Sequence, residues 1–279
     1  MTPFTFLLEP LKYSFMLRGL AAASVVGLVC AVVGTFVVLR GMAFFGDALS
    51  HAILPGVAVA YLASGAGGAL FWGALGAAVL TALGIGKISQ DQKLREDTAI
   101  GVVFAGALAL GIALMSTVRS YSVDLTHILF GNILAITNTD LLLIGGFGLA
   151  VLLTVAAFYK EFVVVAFDPV HAATLRLPIE GLRYLLLLLV AVTVVVALQT
   201  VGAGLMTAML ITPAATGYLL ARKLSHMIGI AVLIGVFSGI AGLYLSYYVA
   251  VASGAAIVLT ATACFIVAWS ATRLWQREA

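Results

Sequence analysis

Charge is what this sequence has least of: only 9% of its 279 residues are Asp, Glu, Lys or Arg, against roughly 25% in an ordinary soluble domain. A soluble fold of this length needs a charged surface, so that class is excluded. Cysteine is scarce too. Cys30 and Cys264 both sit inside apolar runs and read as small buried hydrophobes rather than as a disulfide framework. The net charge of +3 is too small, and its basic residues too scattered, for a nucleic-acid partner. There is no GxxxxGK[ST] stretch to cradle phosphates, no GxSxG elbow and no HExxH. The few polar residues form no catalytic constellation, so the chain is not expected to be an enzyme or to hold a resident cofactor. Residues 1–10 lack a charged start and a small-residue cleavage site, so the first apolar run is expected to be a retained helix.

What is there suits lipid: 63% hydrophobic residues and 29 glycines, the latter favouring close helix packing in membranes. A spanning helix needs about 20 mostly apolar residues. Candidate runs are 15–39, 45–62, 67–86, 98–118, 140–159, 184–200, 203–220, 226–249 and 255–272. The expected architecture is therefore a single all-α polytopic domain over 1–279 with about nine spans (eight to ten). Orientation follows from the loops that hold Lys and Arg. With the loop 87–97 inside, eleven basic residues, among them Arg40, Lys87, Lys160, Arg176, Arg183, Arg222, Lys223 and Arg273, are cytoplasmic, and only Lys12, Arg18 and Arg119 are outside. That places the C-terminus inside and, with nine spans, the N-terminus outside; a re-entrant segment would reverse the N-terminal side.

The stretch 46–61, GDALSHAILPGVAVAY, puts Asp47 and His51 four residues apart in an apolar run, on one face of a helix. A carboxylate in a spanning helix costs about 2.5–3.5 kcal/mol and needs a partner, water or an ion. Two readings stand. In one, Asp47 caps the helix and His51 hydrogen-bonds a neighbouring helix. In the other the pair ligates a metal, and oxygen plus nitrogen suits Mn²⁺, Fe²⁺ or Zn²⁺ better than Cu(I). Metal binding requires a carboxylate and a neutral imidazole, so uptake through such a site should weaken on acidification. Pro55, one turn on, removes a backbone hydrogen bond and can kink the helix beside a cavity.

The stretch 199–220, QTVGAGLMTAMLITPAATGYLL, has a small-residue surface that suits close helix contact, while Thr207, Thr212 and a kink at Pro213 are candidates to face a translocation path. Met206 and Met209 read as core filling. In the connection 119–139, Asp124 and His127 read as a solvated loop pair or as a meeting point for an incoming ion. The connection 160–183 is cytoplasmic by charge. Within it Asp168-Pro169 can cap a short helix that ends before Pro178. His171 and His226 read as interfacial residues, and Glu96-Asp97 as acids at a helix N-terminus.

Taken together, GDALSHAILPGVAVAY, EDTAIGVVF from Glu96, DLTHILFGNIL from Asp124, FDPVHAATLRLP from Phe167 and VGAGLMTAMLITPAATGYLL resemble the membrane permeases of ATP-binding-cassette importers for manganese, zinc and iron. The match runs over nearly the whole chain. It implies a helical channel like those of cobalamin and siderophore importers, in the bacterial cell membrane. It also implies a second permease copy, the same or a related one, two cytoplasmic ATPase subunits and an external metal-binding protein. Asp47 and His51 would coordinate the transported Mn²⁺ or Zn²⁺. Phe167, Asp168, Pro169, Ala172, Leu175 and Arg176 would form the coupling segment that docks on the ATPase. The chain departs from the family there: Val170 replaces the usual acid and Arg176 the usual glycine. From the residues alone, a secondary carrier using Asp47 and His51 as a proton relay is the alternative.

Overall fold

The computed structural model describes residues 8–64, 69–90, 96–117 and 133–278. All regular structure among them is helical. Two short 3₁₀ turns, Pro10–Lys12 and Ile133–Ala135, accompany twelve α-helices: α1 (Ser14–Leu39), α2 (Ala43–Ala52), α3 (Leu54–Ser64), α4 (Ala69–Ile88), α5 (Glu96–Ser116), α6 (Asn138–Ala157), α7 (Tyr159–Phe167), α8 (Pro169–Thr174), α9 (Ile179–Val201), α10 (Ala203–Leu220), α11 (Leu224–Val249) and α12 (Ser253–Glu278). Within the described residues all nine expected apolar runs are helical, with single breaks at Ile53 and Phe158. Among the described residues, eight stretches are long and apolar enough to cross a membrane, with α2 and α3 together making one, and Met206–Leu220 is a shorter apolar helix.

The helix starts differ from expectation for local reasons. Helix α9 begins at Ile179, five residues before the expected Tyr184, because Pro178 ends the preceding turn and Glu180 is favourable in a first turn. Residues 159–167, part of an expected connection, form α7, with the chain breaking at Phe158. Helix α6 opens on a capping box in which Thr137 and Asp140 satisfy each other's backbone N–H groups.

Helices α1 and α9 form the middle of the packing. On one side α1 meets α10 and α11; on the other, α9 meets α4, and α2 to α5 pack among themselves. The α1–α11 contact brings backbones together: a Cβ on Gly27 would lie 2.5 Å from the Gly235 carbonyl oxygen, and one on Gly235 would lie 2.5 Å from that of Gly27. In lipid such close packing replaces the hydrophobic drive as the source of association. At one end Gln90 donates to Glu180 at 3.1 Å, and Arg183 donates to Ser89, tying the end of α4 to the start of α9.

Candidate metal-coordinating site

The chain turns from α1 into α2 at Gly41, whose φ of 69° is left-handed. Helix α2 then begins at Ala43 with Met42 as its N-cap residue, so Asp47 lies a full turn inside the helix. The capping reading of Asp47 therefore fails: by that point the orphan N–H groups of the first turn have been passed. The described contacts of His51 likewise include no hydrogen bond to a neighbouring helix. Its ring lies 5.9 Å from that of Phe104 on α5, and its Nε2 is 3.9 Å from Asp47 Oδ1.

Asp47 and His51 share one face of α2, as the four-residue spacing requires. Their side chains stay partly open, at 46% and 29% exposure, while Phe45, Leu49 and Ser50 on the same helix are buried. A separation of 3.9 Å is too long for a hydrogen bond. It is within reach of a single ion bonded to both atoms at about 2.1 Å. Among the described residues no cluster of three or more His, Cys, Asp or Glu side chains accompanies them.

The second sequence stretch meets the first here. Thr207 of α10 directs its hydroxyl to Asp47 Oδ1 at 3.4 Å, a long hydrogen bond. Leu210, one turn on, packs where Gly46 has no side chain; a Cβ there would lie 2.9 Å from Leu210 Cδ2. Helix α10 can start this close because Gly202 joins it to α9 with φ 85° and ψ 164°, a conformation essentially restricted to glycine. Thr212 is partly exposed, and its carbonyl accepts from Thr216 at 2.7 Å. Pro213 is buried inside α10, which continues through it to Leu220.

Below His51 the helix breaks at Ile53. Pro55 has no N–H to give the His51 carbonyl, which accepts from the Ile53 N–H instead. Gly111 of α5 accommodates the break: a Cβ there would lie 2.7 Å from Leu54 Cβ and 3.1 Å from Pro55 Cδ. Phe104 is the one aromatic residue of α5 and closes the stretch EDTAIGVVF, and Gly111 resembles the other small residues of that helix, but no local pattern ties either of them to α2.

The expected cytoplasmic helix is present as α8. Asp168 caps it by accepting from the His171 N–H at 2.8 Å, with Pro169 at the first helical position. It closes as a Schellman turn, in which the N–H of Leu177 reaches the Ala172 carbonyl and that of Arg176 the Ala173 carbonyl. Arg176 sits in the left-handed region at φ 54°, which explains on physical grounds why glycine suits this position. Ala172 is fully buried, whereas Phe167 (63%), Val170 (76%) and Leu175 (52%) are exposed. Helix α7 anchors this segment through Phe162, whose ring lies 5.6 Å from that of Phe36 near the end of α1. Glu96 and Asp97 do open α5. Asp124, His127 and Asn132 lie outside the described residues.

Comparison with known proteins agrees over almost the full length. A family model described as the ABC 3 transport family matches residues 12–272. The manganese transport system membrane protein MntC of Halalkalibacterium halodurans is 48% identical over 270 residues, covering 96% of this chain and 91% of the relative. The chelated iron transport system membrane protein YfeD of Yersinia pestis is 38% identical over 268 residues, covering 95% and 88%. Among solved structures, a chain of PsaBC from Streptococcus pneumoniae in complex with Fab superposes with a TM-score of 0.84 at 41% identity, covering 95% of both chains.

Proposed function

The chain belongs to the ABC 3 transport family, and from that membership we propose that it is the subunit through which an ATP-driven importer moves a divalent transition metal, Mn²⁺ first, into the cytoplasm. It is a multi-pass protein of the cell membrane and an ATP-binding-cassette permease. Manganese is favoured over Zn²⁺ and Fe²⁺ by the MntC relative; the carboxylate and imidazole pair without sulfur suits all three rather than Cu(I).

The observation that carries the proposal is the Asp47–His51 pair, held open to one side where α2 crosses α10. A metal arriving without its water shell would gain an oxygen and a nitrogen ligand there. Octahedral Mn²⁺ needs more than two. A second copy related by a twofold axis would bring another Asp47 and His51, which favours a homodimer around the path.

Energy enters through the segment around α8. An ATPase subunit docks on the exposed apolar residues of α8 and its two flanks, namely Phe167, Val170 and Leu175. Its closure moves α8 together with α7, and the Phe162–Phe36 contact carries the motion to the end of α1. The turn at Gly41 then passes it into α2, the helix that bears Asp47. An external metal-binding protein supplies the ion from the opposite side.

The test is uptake into proteoliposomes holding this permease, its ATPase and the binding protein, with Mn²⁺, Zn²⁺ and Fe²⁺ in competition. Uptake should require ATP and all three proteins, with Mn²⁺ the strongest competitor. Metal uptake by the permease alone, driven by a proton gradient, would instead establish the secondary carrier.

A further inference from the structure

Away from the Asp47–His51 site, the described surface holds a groove of about 620 Å³ where α10 hands over to α11. Its rim is polar, made by Arg222, Ser225 and His226, and its wall is apolar, made by Leu220, Ile230 and Leu233. Gly229 also lines it, and a Cβ there would point into open space. Lys223 stands exposed beside Arg222, and Tyr218 is exposed one turn before it, as suits an aromatic side chain at a membrane interface.

From this geometry we infer that the groove binds one anionic phospholipid of the cytoplasmic leaflet, with its phosphate at Arg222, Ser225 and His226 and an acyl chain along Ile230 and Leu233. Three observations converge on that occupant. The lining contains basic residues and no acid, which selects negative charge. The polar rim sits directly on an apolar wall rather than in a closed polar pocket, which selects an amphiphile over a soluble anion. Leu233 is 71% exposed and lies seven residues beyond His226 on α11, about 10 Å along the axis. That depth is reached by a lipid tail and not by a soluble cytoplasmic subunit. The Lys and Arg asymmetry assigns this end to the cytoplasm, the side where a basic rim meets anionic headgroups.

Native mass spectrometry of the full-length permease, alone and with its ATPase, tests the assignment with phosphatidylglycerol against phosphatidylcholine of the same chains. Wild type should retain phosphatidylglycerol preferentially, in both assemblies, and millimolar inorganic phosphate should not displace it. Replacing both Arg222 and Lys223 with Gln should lower the phosphatidylglycerol-to-phosphatidylcholine ratio at least about fivefold. Gly229→Leu, which fills the groove and leaves every rim residue unsubstituted, should reduce retention of both lipids. The ratio is measured within each variant, so a loss of yield does not mimic the result. Equal retention of the two lipids by wild type would overturn the proposal, as would displacement by phosphate, an unchanged ratio in the Arg222 and Lys223 double variant, or undiminished retention of both lipids by Gly229→Leu. Loss of the lipid on pairing with the ATPase or with a second copy would assign the groove to that protein instead.

Discussion

Helices α1 and α11 meet through Gly27 and Gly235, whereas α2 and α10 meet through Gly46, Asp47, Thr207 and Leu210. Both contacts rely on missing side chains to bring helices close. The first closes completely, glycine against backbone, with no polar side chain between. The second stops short, leaving a carboxylate and an imidazole partly open beside the buried Phe45, Leu49 and Ser50 of the same helix. Small residues therefore account for how these helices approach one another. Only the polar residues among them distinguish a closed contact from an open one.

Gly27→Val should have the largest effect, because its side chain meets the Gly235 carbonyl with nothing flexible to move aside. A cost above about 4 kcal/mol is expected, seen as loss of monodisperse protein in gel filtration. Gly202→Ala attacks the link that lets α10 reach α2. Its backbone conformation excludes other residues, so about 1–3 kcal/mol of strain should appear as a lower melting temperature. Thr207→Val sharpens the contrast from the open side. It removes the only described hydrogen bond to Asp47 from another helix and should weaken uptake about two- to tenfold with melting unchanged. Arg176→Gly lies in neither contact. By relieving the left-handed residue at the end of α8 it should raise stability by at most about 1–2 kcal/mol, measurable as a small gain in melting temperature without change in uptake direction.

Much of this was legible in the sequence, and the reasons differ by element. Run length marked the nine apolar segments, since a spanning helix has few other ways to satisfy its backbone, but not α7, which lies in an expected connection. The Asp168-Pro169 pair marked α8 because capping is a local interaction. The i, i+4 spacing put Asp47 and His51 on one face, but could not choose between a cap and an open pair. That choice depended on where α2 begins, and Met42 gives no sequence signal for a helix start. The meeting of Thr207 with Asp47 spans 160 residues of sequence. No periodicity encodes such a contact, nor that of Phe104 with His51, because apolar residues look alike whichever neighbour they face.

The central claim is that the open pair in α2 holds the metal during transport. It is tested most directly by ATP-driven Mn²⁺ uptake in proteoliposomes, comparing wild type with Asp47→Asn, His51→Ala and the double variant, each matched for melting temperature and for ATPase assembly. Both single variants should lose uptake by at least about tenfold, and the double variant should lose little more, because the two side chains serve one ion. Folded, assembled variants that transport Mn²⁺ at the wild-type rate would contradict it.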